Sequence, residues 1–419
     1  MTLGVGAANV ASDPYLPWDE FRFRPVPPGL TATQLWAVTA LLRRGQSRWL
    51  PLTDTRGAHF RYALPDDVLR LADKVTARAG GNIAMAEPVV DPTSRDMYLV
   101  RSLMEESITS SQLEGAATTR RVAKDMLRSG RHARDKSEQM IWNNYQAMLF
   151  VQDHREAPIT SALTFELHAI VTQGTLDDPA DGGRLQTPDD VRVHVGSADG
   201  EILHTPPPAE ELADRLEALC AFANAHDDSS PWMHPVLRAI AVHFMVGHDH
   251  YFVDGNGRLA RALFYWCMLT RGLWLTEFIT ISTILRRAPV QYAKAYLHTE
   301  AESDLTYFFI HQLGVIDRAL DELESYLAHK VSERQNLRVL LADHVKDFNH
   351  RQLALLDLAL SDPTAEFTSA SHATSHNVTP ESARNDLIDL ERRGVLVRGK
   401  RGRQHVWQAA PDASAILGR

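Results

Sequence analysis

The sequence predicts a mostly α-helical chain with a small helix-and-strand module at its C-terminal end. Two observations support this fold class. Apolar residues recur at helical spacing through most of the 419 residues, and β-prone runs are confined to one pair in the middle of the chain and one pair near its end. At roughly 100–200 residues per domain, the length predicts two to three domains, each large enough to bury a core.

The helical pattern begins at Thr31, a good N-cap residue, and the first helix ends at Gly45. Apolar spacing predicts further helices at 65–79, 96–113, 119–128, 135–154, 160–172, 210–226, 234–247, 257–271 and 304–331. The β-prone runs 191–195 and 201–205 flank a Gly-rich turn, which predicts a hairpin lying against the helical bundle. We regard this hairpin as the clear strand signal before the C-terminal module.

The composition changes near residue 334, where a different module begins. Three predicted helices at 349–360, 368–375 and 379–393 precede two short strands joined by a basic turn. This order is typical of a winged helix-turn-helix, with the third helix as the recognition helix. The predicted domains are therefore an N-terminal helical region (1–150), a core domain (151–334) and a winged helix-turn-helix (335–419).

Composition and charge exclude several classes of protein. Ordinary contents of Gly, Pro and Cys exclude collagen-like and disulfide-rich chains. The formal charge of -9 argues against a protein that coats nucleic acid along its whole surface. Cys220 and Cys267 lie in apolar helical patterns and are expected to be buried free thiols. Because no apolar run approaches the length of a membrane span, we expect a soluble, cytoplasmic protein.

The most informative stretch is 248–261. Gly255 and Gly257 enclose a turn too tight for large side chains, and a helix follows it. Free backbone N–H groups and the positive end of the helix dipole make such a turn an anion site. Arg258 and Arg261, in the first turn of the helix, add two positive charges on one side. Together these features indicate a phosphate site.

Two titratable residues precede this turn. Asp254 is placed to hold Mg²⁺, which normally uses one or two carboxylates together with phosphate oxygens. His250 is a candidate general base that would take a proton from an attacking hydroxyl. His248 and His250 are spaced like a metal-binding pair, but no further ligands follow at suitable spacing. Any one of these elements alone is also typical of an ordinary turn or a core histidine.

This stretch resembles the signature of the Fic family, H-x-F-x-[D/E]-G-N-G-R-x-x-R. The matching residues are His250, Phe252, Asp254, Gly255, Asn256, Gly257, Arg258 and Arg261. The resemblance implies a Fic-type helical bundle that transfers AMP from ATP to a Ser, Thr or Tyr hydroxyl of a target protein and releases pyrophosphate. It implies His250 as general base, Asp254 as Mg²⁺ ligand and Arg261 as γ-phosphate clamp, with Gly255 to Arg258 as the anion hole.

Two positions depart from the family pattern. Tyr251 stands where the family usually has proline, and the loss of the fixed proline φ leaves the loop freer. Tyr292 matches the first of two adjacent aromatic residues that the family usually places near adenine, but Ala293 follows it. Tyr292 is therefore a candidate nucleotide-binding residue or a core residue.

A second motif lies far upstream of the first. The stretch from Ser110 to Gly115 resembles the inhibitory motif of the family, [S/T]-x-x-x-E-[G/N], on a helix before the core. The resemblance implies that Glu114 pairs with Arg261 and keeps ATP out of its productive position. In some relatives the same glutamate aligns a water that removes AMP, so removal of AMP stays open here. In isolation, the motif is also a helix end with a glycine C-cap.

The predicted hairpin resembles the flap on which the family docks its target. Its candidate docking residues are Val191, Val193 and Val195. A target segment added to a strand edge would bind with little demand on its sequence. An ordinary surface hairpin is the alternative.

The C-terminal module carries a cluster of basic residues. Arg384 and Asn385 are candidates for contacts with base edges, and Lys400, Arg401 and Arg403 in the basic turn are candidates for phosphate contacts. A solvated charged face, dimerisation or target docking would explain the module equally well.

The sequence therefore predicts an autoinhibited protein adenylyltransferase that uses ATP and Mg²⁺ to modify a target protein and itself. Two alternatives stay open. One is a DNA-binding regulator whose Fic domain senses nucleotide, and the other is a Fic enzyme that uses another nucleotide or diphosphate donor. The resemblance is also compatible with a homodimer.

Overall fold

The computed structural model describes residues 14–80, 92–192, 195–196, 202–225, 232–343, 347–361, 365–401 and 404–417. Within these ranges the chain is mostly helical, and the strands form two-stranded antiparallel hairpins. The chain divides into two compact units, Met1–Leu323 and Glu324–Arg419.

The first unit contains most of the helices and two of the hairpins. Its elements are α1 (Trp18–Phe21), α2 (Ala32–Gln46), β1 (Arg48–Thr53), β2 (His59–Tyr62), α3 (Asp66–Ala79), α4 (Pro92–Leu113), α5 (Arg120–Ser129), α6 (Lys136–Asp153), α7 (Ser161–Thr172), β3 (Val195–Gly196), β4 (Ile202–His204), α8 (Leu212–Asn224), α9 (Pro235–Asp249), α10 (Asn256–Thr270), α11 (Ile281–Arg287), α12 (Pro289–Glu302) and the start of α13 (Thr306–Asp343).

The second unit contains the end of α13 and a small module with its own core. Its elements are α14 (His350–Ser361), α15 (Ser369–His376), α16 (Pro380–Arg392), β5 (Leu396–Arg401), β6 (Gln404–Ala409) and α17 (Ala413–Leu417). Leu356, Leu387 and Trp407 are buried in this core. The three-helix and hairpin order predicted for the C-terminal residues is present.

The helices begin where capping residues allow it. The side chains of Asp135 and Thr160 accept hydrogen bonds from the N–H groups of Glu138 and Leu163, so α6 and α7 begin one residue after these caps. Pro235 occupies the first helical position of α9, where its missing N–H costs nothing.

The core of the first unit is centred on α9 and α10. Almost every residue of these two helices is buried, and Phe244, Leu263 and Trp266 have almost no exposed surface. A helix that is apolar on all faces belongs inside a protein rather than on its surface. The loop between α9 and α10 is consequently held at both ends by rigid, buried elements.

Three expectations about the first unit were wrong or incomplete. The hairpin formed by β1 and β2 was not expected, because Pro51 interrupts the strand pattern of β1. Helices α11 and α12 were not expected, and α13 continues to Asp343 rather than ending near 331.

The predicted central hairpin is present but short. Val191 lies outside the strands and is 88% exposed, whereas Val195 begins β3. Val193 lies outside the described residues. Cys220 and Cys267 are buried free thiols, as expected. None of the described helices is long and apolar enough to cross a membrane.

Candidate active site

Helix α9 ends just before His250, which has an unusual backbone conformation. His250 is the C-cap of α9, with φ 51° and ψ 59°, and its N–H donates to the carbonyl of Val246 at 3.2 Å. This left-handed conformation is unfavourable for a residue with a side chain and is found mainly where the surroundings impose it. The chain reverses at His250, and the loop then runs toward the start of α10.

The loop is fixed internally by Asn256. Its side-chain amide accepts a hydrogen bond from the N–H of Phe252 at 3.0 Å and donates one to the Phe252 carbonyl at 2.7 Å. Phe252 is fully buried and stacks on the ring of His168, with 3.8 Å between ring centroids. The side chain of Asn256 is therefore committed to the shape of the loop, while its backbone opens α10.

His168, on α7, was not singled out by the sequence analysis, yet it contacts the loop twice. Its Nε2 donates to the carbonyl of Asp254 at 2.8 Å, and its Nδ1 accepts from the N–H of Gly183 at 2.9 Å. Burial lowers the pKa of His168 to about 4, so the ring is neutral with its proton on Nε2. A lone histidine on a helix carries no sequence signal that would identify this role.

Gly255 is required at the turn. Its φ is +86°, and a Cβ added there would lie 2.7 Å from Cγ2 of Thr172. Both the backbone conformation and the lack of space therefore favour glycine. The N–H of Gly255 donates to Oδ1 of Asp254 at 2.5 Å.

Arg258 is buried with part of its guanidinium unsatisfied. Its Nη1 donates to the carbonyl of Val171 at 2.9 Å, but Nε and Nη2 have no hydrogen-bond partner among the described residues. Oδ1 of Asp254 lies 3.8 Å from Nη2. Burial lowers the pKa of Arg258, and a buried guanidinium with free N–H groups is a strong site for an anion.

Arg261 is also buried, but residues at the end of α4 accept its hydrogen bonds. Its Nε donates to Oγ of Ser110 at 2.8 Å, and its Nη2 donates to Oε1 of Glu114 at 2.8 Å. Burial opposes the charge on Arg261, but the nearby Glu114 raises its pKa. The structure thus brings together Ser110, Glu114 and Arg261.

The Glu114 carboxylate also lies against the glycine turn. A Cβ added to Gly257 would be only 2.1 Å from Oε1 of Glu114. The carboxylate therefore lies at the positive end of α10, where the sequence analysis places an anion. It is the kind of group that would be displaced by a bound phosphate.

His250 lies among positive groups. Burial and, to a lesser extent, the charges of Arg192 and His204 together lower its pKa to about 4, against smaller opposite effects of a hydrogen bond to the Gly247 backbone and of Glu114. Neither Arg192 nor His204 was identified from the sequence. Both come from the segment around the central hairpin, which the sequence analysis considered only for its valines.

Tyr251 occupies the place of the family proline and anchors the loop in another way. It is fully buried, and its hydroxyl donates to Oδ2 of Asp249 at 2.7 Å. Asp249 also accepts from Arg215 at 2.9 Å and lies 2.9 Å from Nδ1 of His248. The expected freedom of this loop is therefore offset by a buried side-chain network. His248 is committed to this network, and the described residues contain no cluster of three or more metal-binding side chains.

Asp254 is the candidate Mg²⁺ ligand, and its surroundings fit that role. Its side chain is 51% exposed beside the buried Arg258, and its Oδ2 has no recorded hydrogen bond among the described residues. A single accessible carboxylate next to a phosphate site matches the donor set that Mg²⁺ prefers when it also binds substrate phosphates.

Tyr292 lies on α12 near Arg261. Its hydroxyl is 2.7 Å from Nε2 of His243, and its ring contacts Tyr296 at 5.4 Å between centroids. Position 293 is alanine, and Tyr296 follows one turn later on α12. The contact of the Tyr292 hydroxyl with the buried His243 fits the interpretation of Tyr292 as a core residue.

The C-terminal candidates belong to the second unit. Arg384 and Asn385 are exposed neighbours on α16, and Lys400 is exposed on β5. Arg401 ends β5, whereas Arg403 lies outside the described residues.

Comparison with known proteins matches residues 158–268 to the Fic/DOC family model. The chain is similar to "Protein adenylyltransferase Fic" of Drosophila ananassae, 34% identical over 95 residues, which are 23% of this chain and 17% of that protein. It is also similar to "Protein adenylyltransferase fic-1" of Caenorhabditis briggsae, 32% identical over 124 residues, which are 30% of this chain and 22% of that protein. The aligned segments thus span about a fifth of these relatives.

The fold is similar to that of a solved structure. A Fic family protein from Desulfovibrio desulfuricans G20 superposes with a TM-score of 0.55 at 18% sequence identity. The superposition covers 84% of this chain and 98% of that protein. At this identity the similarity supports the fold.

Proposed function

Because this chain is a Fic family protein, with its Fic/DOC domain at residues 158–268, we propose that it is an autoinhibited protein adenylyltransferase. It transfers AMP from ATP to a Ser, Thr or Tyr hydroxyl of a target protein and of itself. The observation that carries this proposal is the anion site at the start of α10. There, the buried Arg258 has free N–H groups, and the Glu114 carboxylate lies against Gly257.

In the proposed reaction, His250 is the general base. Its lowered pKa keeps the imidazole neutral near pH 7, so its free nitrogen can accept the proton of the target hydroxyl. The hydroxyl oxygen forms a bond to the α-phosphorus as the bond to the bridging oxygen breaks, and pyrophosphate leaves. Arg258, Arg261 and the N–H groups of the glycine turn hold the negative oxygens of the phosphates.

Mg²⁺ would be held by Asp254 together with the phosphates of ATP. The ion would neutralise phosphate charge, which favours the departure of pyrophosphate. The half-exposed carboxylate of Asp254 beside Arg258 supports this assignment.

Autoinhibition is proposed from the two contacts of Glu114. The Glu114 carboxylate binds Arg261 and fills the space beside Gly257. Because of these contacts, the γ-phosphate of ATP cannot bind Arg261 at the same time. Substrate in its productive position and the Glu114 contact therefore exclude each other.

The target segment is proposed to bind along the edge of the hairpin that contains β3. The exposed Val191 precedes this strand, and a short antiparallel pair offers backbone groups for a further strand. Specificity for the target would then come mainly from residues beyond the modified hydroxyl.

The low pKa of His250 predicts the pH dependence of transfer. The reaction needs the neutral imidazole, which predominates above a pKa of about 4 and is lost as the pH falls through that value. We therefore expect a nearly constant initial rate from about pH 6 to pH 8 in a Glu114→Gly background. Buffers of matched ionic strength and a melting curve at each pH control for unfolding. An acidic limb centred near 6.5, the ordinary value for histidine, would contradict the assignment.

The direct test of the proposed chemistry uses ATP labelled on its α-phosphate. Mass spectrometry of the purified protein after incubation with ATP and Mg²⁺ should find an added AMP on a hydroxyl side chain. Parallel reactions with UTP and with other diphosphate donors test the alternative chemistries, since each adds a different mass. The absence of any adduct from ATP in the Glu114→Gly variant would reject the proposed activity.

A second proposed function, DNA binding, concerns the C-terminal unit. Its helices α14, α15 and α16 and its hairpin support the interpretation as a winged helix-turn-helix. Arg384, Asn385 and Lys400 are exposed, without a recorded ion pair among the described residues. By contrast, Arg393, the C-cap residue of α16, pairs with Asp389.

A gel shift with the full chain tests DNA binding. On a mixed-sequence duplex we expect affinity to fall with salt, and Lys400→Ala should reduce the slope of log affinity against log salt by about one. Arg393→Ala is the matched control, since this arginine is already paired within the module. No retardation at low salt, or equal effects of the two variants, would favour dimerisation or target docking as the role of the module.

A further inference from the structure

The C-terminal end of α9 receives side-chain donors from the segment around the central hairpin. Nη2 of Arg192 donates to the carbonyl of Asp249 and Nη1 donates to that of His250, both at 2.8 Å. On the other side of the hairpin, Nε2 of His204 lies 2.8 Å from the carbonyl of His248. The last carbonyls of a helix have no partner within it, so these contacts satisfy three successive ones.

His250 needs this support more than an ordinary helix end does. Its positive φ is unfavourable for a residue with a side chain, so its orientation depends on contacts that hold the backbone in place. Arg192 binds its carbonyl directly, and the side chain of Gln186 accepts another hydrogen bond from Arg192. The N–H of Gln186 in turn donates to the carbonyl of Tyr251 at 3.0 Å.

Arg192 also lies close to the proposed docking strand. It lies three residues before β3, which begins at Val195, and next to the exposed Val191. Its guanidinium is thus fixed to the backbone of His250, close in the chain to the strand that is proposed to dock the target. A target peptide paired with β3 would therefore lie close in the chain to a side chain that holds the backbone of His250.

We infer that Arg192 is a positioning residue of the transfer reaction: it fixes the backbone of Asp249 and His250 and sets the register between the docked target strand and the imidazole. This inference rests on the proposed function. The charged groups that face His250 are Arg192 itself, His204 from β4 and Glu114 from α4.

The test compares Arg192→Met and Arg192→Lys in the full-length Glu114→Gly protein. Both variants should lower the maximal rate of self-modification about tenfold or more, because a lysine ammonium cannot reproduce the two-carbonyl fork. The ATP concentration at half-maximal rate should change less than about threefold, because Arg192 does not contact the anion site. A purely structural defect would instead weaken ATP binding and lower the melting temperature together.

A second readout is independent of activity. The reactivity of His250 toward diethyl pyrocarbonate, followed by peptide mass spectrometry across pH, reports its protonation. Its midpoint should rise by about one pH unit in Arg192→Met and stay nearly unchanged in Arg192→Lys, which keeps the positive charge. The two variants therefore separate charge from geometry.

Arg184→Met is the matched control. Arg184 lies on the same segment and pairs with Asp190 at 2.8 Å, without contacts to 248–250. The inference is overturned if folded Arg192→Met keeps both the rate and the His250 midpoint, or if Arg184→Met reproduces the loss of rate. If no variant transfers AMP, the proposed function fails, and the His250 midpoint still decides whether Arg192 acts on the imidazole.

Discussion

Replacing Glu114 by glycine should increase self-modification with AMP by about 10- to 100-fold. The substitution removes the carboxylate that binds Nη2 of Arg261 at 2.8 Å and opens the space beside Gly257. A hydrogen bond between charged groups contributes about 1.5–3 kcal/mol, which corresponds to this range of competition. The measurement is the initial rate of label incorporation from α-phosphate-labelled ATP, together with ATP affinity by calorimetry.

Gln112→Gly is the matched control for Glu114→Gly. Gln112 lies on the same end of α4, and its side chain donates to the carbonyl of Thr118 rather than to Arg261. The Gln112→Gly variant introduces the same helix-weakening residue, so its labelling rate should stay close to that of the wild-type protein. The autoinhibition proposal fails if Glu114→Gly alters neither the labelling rate nor the affinity for ATP.

Replacing His250 should lower the transfer rate by about 10²- to 10⁴-fold in the Glu114→Gly background. Removal of a general base typically has this effect, because no other group accepts the hydroxyl proton as well. ATP affinity should change little, since the anion site is formed by the glycine turn, Arg258 and Arg261. Rates measured at saturating ATP therefore isolate the loss of the base.

The choice of substitution matters because of the backbone at position 250. Alanine at φ 51° adds strain, whereas asparagine is among the residues that adopt this conformation most readily. His250→Asn should therefore lose activity as His250→Ala does while keeping the melting temperature. His132→Ala, at an exposed histidine, is the control for loss of an imidazole. Full activity in folded His250→Asn would show that another group acts as the base.

The local part of the site could be predicted from sequence because its residues are close in the chain. His250 to Arg261 lie within one loop and the first two turns of α10, so backbone geometry alone places a glycine turn beside two arginines. The partner Glu114 is 147 residues from Arg261 and was expected only from the family resemblance. The structure places their side chains in contact.

The supporting residues could not be predicted, because their types and spacing are unremarkable. His168, Arg192 and His204 are single polar residues in otherwise ordinary segments, 86, 58 and 44 residues from the loop groups that they bind. Their importance arises only when the tertiary fold brings α7 and the hairpin to the end of α9. Likewise, β1 was not predicted because it contains Pro51, and its pairing with β2 is interrupted by a register shift.

In the proposed autoinhibition, the position of Glu114 against Gly257 makes its carboxylate a tethered ligand of its own protein. A group held on a short tether acts at an effective concentration of about millimolar, without being consumed. ATP must then compete with a constant local concentration of the Glu114 carboxylate. The fraction of molecules in which Glu114 is displaced therefore depends on the ATP concentration and on the stability of the C-terminal end of α4. Under this proposal, the carboxylate that excludes the γ-phosphate also sets the ATP concentration at which transfer begins.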